Sequence, residues 1–281
     1  MKINYKKFLK IETIIAFLVF LFAVYFFAFG NKITVTNQDG ASNEISQSES
    51  ENPSSKTKEE DVVKNNITGV ECKNGNNRPY AVMLAADKVA RPLSGVSQAD
   101  LVFEMPVITD GITRYMAVFV CEEPKEIGSI RSARDDFITL AKSMDAIFVH
   151  WGGSKSALDK LNGGIIDNLN ALADPYNVFF RKKGVRPPHN GFTSFERMKN
   201  ASDKLKYRQV SNFAGYPHTN NKGKTRQKYD ININYPYPYN VKFRYDFNTN
   251  SYFRFVGGFK EVDKNTNKQV EVKNLIIMEA E

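Results

Sequence analysis

Histidine, cysteine and tryptophan are scarce in this chain of 281 residues, at three, two and one. No two histidines stand at the short helical spacing of a zinc site, and two isolated cysteines lack paired ligand spacing. A metal site built from His150, His189 and a carboxylate such as Asp87 would have to be assembled by long-range folding alone, and no motif announces one. P-loop, dinucleotide fingerprint and Gly-x-Ser-x-Gly elbow are all missing, which removes the common signatures of nucleotide-dependent enzymes and α/β-hydrolases. No cofactor is indicated. Acidic residues are also in deficit: 39 Lys+Arg face 31 Asp+Glu, a net charge of +8.

What the chain does have is enough apolar residue, 42%, to bury a real core. Ile11 to Phe29 is a nearly uninterrupted apolar run preceded by Lys2, Lys6, Lys7 and Lys10. It is long enough to span a bilayer as a helix, and the lysines place its N-terminus in the cytoplasm. The rival reading is a cleaved signal peptide, with small residues at Ala28-Phe-Gly30. Both readings export everything that follows. Residues 31–70 turn to Ser, Asn, Glu, Lys and Gln with almost no aromatics, a composition that cannot repay its ordering entropy and reads as a solvated tether.

Beyond residue 71 the chain carries 31 basic and 22 acidic residues, so the exported part alone holds a net charge of +9. Two runs concentrate it, Arg181-Lys-Lys-Gly-Val-Arg186 and Lys222-Gly-Lys-Thr-Arg-Gln-Lys228. A basic exported domain attracts anionic lipid headgroups or wall polymers, unless the charge is merely a solvated surface; the outward topology disfavours nucleic acid. Cys72 and Cys121 both lie in this part, where an oxidising compartment favours one disulfide over two buried thiols.

Periodicity gives a strand at 80–85, a hairpin of 101–105 with 114–120 around Thr109-Asp-Gly111, and a short strand at 127–130. A helix capped by Asp135-Asp136 follows, then a strand at 146–150, a Gly152-Gly153 turn and a helix from Lys155. Another helix is expected over 195–205 and strands over 241–245, 252–255 and 275–278. The fold class this supports is α/β, with α+β as the alternative: a mixed sheet with flanking helices, followed by a small C-terminal β region. The expected organisation is an anchor over 1–30, a tether over 31–70, an α/β domain over 71–215 and a β-rich region over 216–281. The last expected strand ends close to residue 281, so that region is expected to be incomplete.

Three motifs concentrate the chemistry: Gly128-Ser-Ile-Arg131-Ser-Ala-Arg134, His150-Trp-Gly-Gly-Ser154 and Pro188-His-Asn-Gly-Phe-Thr-Ser194. They put arginines, histidines and helix-start glycines into turns beside apolar strands, as anion-handling sites require. Arg114, Arg131 and Arg134 with His150, Gly152, Gly153, Ser154, His189 and Asn190 are the candidate ligand-binding set. His150, His189, Asp100 and Asp135 are the candidate acid–base groups. Each has a structural reading beside it. Arg131 and Arg134 can pair with Asp87, Asp100 or Glu104 to close polar gaps, Ser154 can be a helix N-cap, and His150 a hydrogen-bonded core residue.

The stretches Arg78-Pro-Tyr-Ala-Val-Met83, Ala90 to Asp100, Gly111-Ile-Thr-Arg114, Ile127 to Arg134, His150 to Ser154 and Pro188-His-Asn190 resemble the YerB-like family. Its members are exported bacterial proteins, mostly lipid-anchored, named for a domain of unknown function. Tyr245 to Gly258 is similar to that family's separate C-terminal β domain. The resemblance implies an exported, membrane-attached protein in two parts and supplies no reaction. No cysteine stands near the end of the apolar run, which departs from the lipoprotein members.

Two functional expectations follow. One is a module binding an anionic envelope component, a wall glycan or lipid phosphate, through Arg114, Arg131, Arg134 and the Gly152-Gly153 turn. The other is an envelope phosphotransferase, since the element order is similar to the LytR-CpsA-Psr enzymes although their Pro-Arg-Asp sequence is absent. In that reading Arg131 and Arg134 hold phosphates, Asp100 or Asp135 recruits a divalent metal and His150 moves a proton. A non-catalytic subunit that binds other envelope proteins is the third reading.

Overall fold

A computed structural model describes residues 62–108, 111–219, 223, 227 and 229–279. The expected membrane segment, the tether through residue 61, Thr109-Asp110 and most of the basic run 222–228 lie outside the described residues. Among the described residues no helix is long and apolar enough to cross a membrane. Residues 58–281 form one compact unit.

Order begins earlier than composition indicates. Val63–Lys64 (β1) pairs with Glu71–Cys72 (β2), so residues 63–70 belong to the fold and not to the tether. Local polar bonds do here what apolar burial does elsewhere. Buried Asn65 accepts from the Ile67 N–H at 2.7 Å through Oδ1 and donates to Asp100 at 2.8 Å through Nδ2.

Next come Tyr80–Ala85 (β3), Leu101–Pro106 (β4), Thr113–Phe119 (β5), Ile127–Gly128 (β6), Asp135–Ser143 (α1), Ile147–His150 (β7) and Lys155–Asn162 (α2). Asn168–Asn170 (β8), Phe180–Arg181 (β9), Gly191–Thr193 (β10) and Phe195–Lys204 (α3) complete this part. The central sheet runs β4-β5-β3-β7-β8, antiparallel from β4 to β3 and parallel from β3 to β8. Parallel neighbours need a crossover, and α2 supplies the one between β7 and β8.

Every residue of β3, β5 and β7 is buried, which is why these strands read as continuous apolar runs: both faces of the sheet are covered. Val82, Leu84 and Val149 face Leu93, Ile127 and the α3 residues Phe195 and Met198. Ala81, Met83 and Phe148 face Phe137, Ile138 and Ala141 of α1 and Ala157 and Leu161 of α2. The small sheet β6-β10-β9 lies beyond the central one.

The C-terminal sheet holds Asp230–Ile233 (β11), Val241–Asp246 (β12), Ser251–Val256 (β13), Phe259–Lys260 (β14) and Glu271–Val272 (β15), with β14 and β15 both pairing with β13. The architecture is mixed sheets with few helices, followed by a C-terminal β region, and is richer in β-structure than an α/β expectation. Two local expectations fail. Residues 275–278 form no strand, and Ile276, Ile277 and Met278 are exposed, because no described strand edge is opposite them to complete a ladder. The N-cap of α1 is Arg134, while Asp135 and Asp136 sit in the first turn and favour the helix through its dipole.

A buried charge cluster joins the C-terminal sheet to the central one. Arg254 of β13 donates to Glu104 of β4 at 2.6 Å, to Glu261 at 3.0 Å and to the Tyr115 hydroxyl of β5 at 3.0 Å. Tyr115 in turn donates to Glu261 at 3.1 Å. Burial pushes the Glu104 carboxyl up against the pull of Arg254, and pushes the Tyr115 phenol well above its ordinary value. Burial also opposes the charge on Arg254, but Glu104 and Glu261 more than offset it and hold the guanidinium protonated. Elsewhere Cys72 and Cys121 form a disulfide 49 residues apart in sequence, with Asp100 accepting from the Val120 and Cys121 N–H groups at 2.7 and 3.1 Å.

Arg254→Met should therefore lower unfolding stability by about 3–5 kcal/mol, since it strands two buried carboxylates; urea unfolding measures it, and a change under 1 kcal/mol would refute the cluster's role. The Cys72→Ser, Cys121→Ser double variant should lose about 4 kcal/mol by loop closure, and reduction of the unsubstituted protein should reproduce the loss in a thermal melt.

Candidate functional site

The parallel strands β3 and β7 end side by side, and the chain that leaves each carries the chemistry: Asp87 after β3, and Trp151-Gly152-Gly153-Ser154 after β7. Ligands of open α/β sheets bind outside such carboxyl ends. Residues 130–134 lie across them. The Arg131 N–H donates to Met83 O at 2.9 Å, the Trp151 N–H to Arg131 O at 3.0 Å, and the Ala133 N–H to Gly152 O at 2.8 Å. The Ser154 N–H closes the ring on Ala133 O at 3.3 Å, so the starts of α1 and α2 meet.

Three guanidiniums gather here. Arg114 leaves β5 opposite Ala85 and donates to Ser132 O at 2.8 Å; Arg134 donates to Ala133 O at 2.8 Å. Arg131 lies 3.8 Å from the Asp87 carboxylate. Among the described residues Asp87 is the one carboxylate in ion-pair contact with any of the three. Burial is the main cause that pushes Arg114 down to about 10, and the nearby Arg134 and Arg131 add to it against the pull of Asp87. Asp100 and Glu104, the other expected partners, are engaged elsewhere.

His189 is buried beside this group. Burial lowers its pKa first, Arg131 lowers it further and Asp87 opposes both. Its Nδ1 has no partner, nor do the buried Arg131 Nε, Arg91 Nε and Ser129 Oγ. Groups of this kind are normally satisfied by protein, water or ligand, so these atoms are available to such a partner. Tyr239, whose hydroxyl donates to Asp87 at 3.3 Å, and Arg91, close enough to Tyr239 to act on its charge, border this group and were not among the candidates from sequence. Arg91 lies inside the quoted Ala90–Asp100 stretch and was legible as an arginine before proline; Tyr239, 152 residues from Asp87, gave no signal.

Several expected site residues are committed to the fold instead. His150 is fully buried, with Nδ1 2.8 Å from Gly152 O and Nε2 3.1 Å from Asn168 Oδ1, and burial lowers its pKa. It shapes the glycine turn and faces no solvent. Asp100 secures the disulfide strand. Asp135 accepts from Ser156 at 2.6 Å and pairs with Lys160 at 2.7 Å, and these contacts hold its carboxyl below the usual range. Ser154 caps α2, accepting from the Ala157 N–H at 3.4 Å. The Gly152 N–H is spent on Asn170 Oδ1 at 3.1 Å; Gly152 has φ +64°, and a Cβ there would meet Leu172 at 2.9 Å. Gly153 packs on Ala133, and Asn190 accepts from Arg181 at 2.9 Å. Arg181 itself stacks 4.6 Å over Trp151. The free donors are therefore side chains, and the glycine turn is scaffolding.

Comparison with known proteins gives the family. Residues 67–208 match the model described as protein of unknown function (DUF3048) N-terminal domain, and residues 231–281 match its C-terminal domain. The chain belongs to the DUF3048 family. It is 34% identical over 222 residues to the protein named "Putative lipoprotein YerB" of Bacillus subtilis (strain 168), covering 76% of this chain and 66% of that one, just under two thirds of its length. The crystal structure of YerB from Bacillus subtilis matches with a TM-score of 0.67 and 33% identity, covering 74% of this chain and 72% of that chain.

Gly191 tests the packing behind the site, since a Cβ there would lie 2.5 Å from the Trp151 ring. Gly191→Ala should cost about 1–3 kcal/mol through overpacking and shift the emission of Trp151, the chain's single tryptophan. Unchanged emission together with an unchanged melting temperature would contradict this packing.

Proposed function

We propose that this protein is a membrane-attached, extracytoplasmic envelope protein whose Arg114, Arg131 and Arg134 bind the phosphate or carboxylate groups of an anionic envelope ligand, a wall glycan or a lipid phosphate. The observation that carries it is the uncompensated positive charge: three guanidiniums, one counter-carboxylate, and unpartnered buried donors on Arg131 and His189. Arginine forks suit such oxygens, and a partly desolvated setting strengthens the bonds. Export is supported by the disulfide, by the apolar run behind four lysines, and by the lipoprotein named among its relatives. The apolar run provides single-pass attachment with the N-terminus in the cytoplasm. A binding role is favoured over phosphoryl transfer because three of the four acid–base candidates, His150, Asp100 and Asp135, carry structural bonds, which leaves His189 alone among the arginines.

The full chain in detergent, titrated with inorganic pyrophosphate by calorimetry and by Trp151 fluorescence, tests this. Arg131→Ala and Arg114→Ala should each weaken binding roughly tenfold or more; equal affinity in both variants would defeat the proposed site. Relative to a His189→Asn variant, in which the pyrophosphate's own protonation acts alike, binding should also tighten on acidification. His189 in the free protein is held below its ordinary 6.5, and a bound anion raises it, so affinity grows as pH falls through 6.5 toward the free value. His189→Asn should flatten that dependence, and an unaltered pH profile in this variant would remove His189 from the site.

A further inference from the structure

A second cleft, of about 270 Å³, opens where the residues after β3 face the C-terminal sheet. Its walls are Lys88, Arg91, Tyr237, Pro238, Phe259 and Lys260. Two aromatic side chains stand in it mostly uncovered, Tyr237 at 72% and Phe259 at 66% exposure. Large aromatics left bare on a shaped surface mark binding sites more often than isolated apolar residues do. The walls are built to keep their shape. Gly257 turns the chain at φ +58°, where a Cβ would come 3.0 Å from Pro238 O, and its N–H donates to Asn240 O at 2.9 Å. The Tyr239 N–H closes the facing turn on Pro236 O at 2.8 Å.

The charged groups free to face the cleft are cationic, and one is partly unsatisfied. Lys88, Arg91 and Lys260 line it, and Lys88 Nζ sits 5.6 Å from the Phe259 ring centroid. The one acidic wall residue, Glu261, is buried and already held by Arg254. Arg91 Nε is buried with no partner. Bare aromatic faces, a free donor and a positive rim together describe a ligand with weakly apolar C–H faces, hydroxyl groups and negative charge.

We infer that this cleft is a binding site for an acidic oligosaccharide, with sugar C–H faces on Tyr237 and Phe259 and ring carboxylates on Lys88 and Lys260. The electron-rich ring face attracts the polarised C–H groups of a pyranose as it attracts a cation. Nucleobases also stack on aromatics between cations. The Cys72–Cys121 disulfide, however, belongs to an oxidising compartment, where glycans rather than nucleic acids are the abundant polyanions. Arg91 borders both sites, but Lys88, Tyr237, Phe259 and Lys260 line this one alone, so it stands or falls apart from the arginine site.

The full chain in detergent, titrated by calorimetry with a tetramer of galacturonic acid, tests the inference beside two controls, an uncharged tetrasaccharide and a thymidine tetranucleotide. The uronic acid tetramer should bind, and Tyr237→Ala or Phe259→Ala should weaken it roughly tenfold while leaving pyrophosphate binding unaltered. Lys88→Gln should reduce both the affinity and its salt dependence. Both aromatics are exposed, so their truncation spares the fold, and melting temperatures check that. No binding of the tetramer, binding that ignores both aromatic substitutions, or equal binding of the thymidine tetranucleotide would overturn the inference. Loss of pyrophosphate binding in Arg131→Ala alone, with tetramer binding intact, confirms two separate sites.

Discussion

Arg254 is enclosed in protein, and two of the three side chains its guanidinium bonds, Glu104 and Tyr115, belong to the central sheet. Glu104 comes from an edge strand of the central sheet, 150 residues away, Tyr115 from its neighbour, and Glu261 from the turn that follows β14. A single arginine facing two buried carboxylates balances the desolvation of all three only in one arrangement, so the C-terminal sheet has one way to seat. Such clusters are weak contributors to net stability but costly to break, which makes them effective selectors of a docking geometry. Once the sheet is seated, the 236–240 and 256–260 turns face residues 86–92. Tyr239 then reaches Asp87, and Tyr237 and Phe259 become the wall of a cleft.

The same geometry explains why positive charge is left over at the strand ends. Asp87 is shared between Arg131 and the Tyr239 hydroxyl, while Arg114 and Arg134 find only backbone carbonyls. A carbonyl satisfies an N–H but does not neutralise a guanidinium, and burial makes the residue of charge more expensive. Arg114 and His189 are both depressed by burial first, and the neighbouring guanidiniums add to the shift in each. A bound anion would relieve both, and would supply the acceptors that Arg131 Nε and His189 Nδ1 lack.

Strands buried on both faces were legible in the sequence because they are continuous apolar runs, and β3 was read at its observed bounds, 80–85. The mixed sheet and the strand–glycine turn–helix unit at β7 followed from the same logic. The ordered hairpin at 63–72 was not legible, since it rests on Asn65 hydrogen bonds and a disulfide and offers no hydrophobic signal. At the site, arginines were recognised as anion ligands from type and placement alone. What sequence could not separate was commitment: His150, Asp100 and Asp135 look like free acid–base groups until their partners, from 2 to 35 residues away, are seen. Tyr239 and the Arg254 cluster were beyond reach because their partners are more than a hundred residues distant.

Commitment also orders the functional readings. Acid–base chemistry needs a group whose proton is free to move in a place a substrate can occupy, and His150 satisfies neither condition, being enclosed with both ring nitrogens engaged. Metal-assisted transfer needs carboxylates with open oxygens, whereas Asp135 is taken by Lys160 and Ser156 and Asp100 by two backbone N–H groups and Asn65. What remains uncommitted is the arginine group and His189, whose Nδ1 has no partner, and these are the groups on which the proposed anion binding rests. The scaffold beneath is closely packed: Gly152, Gly153 and Gly191 lie against Leu172, Ala133 and the Trp151 ring, where an added Cβ would crowd its neighbour. A preorganised, positively charged surface of this kind gains affinity because little ordering is lost on binding.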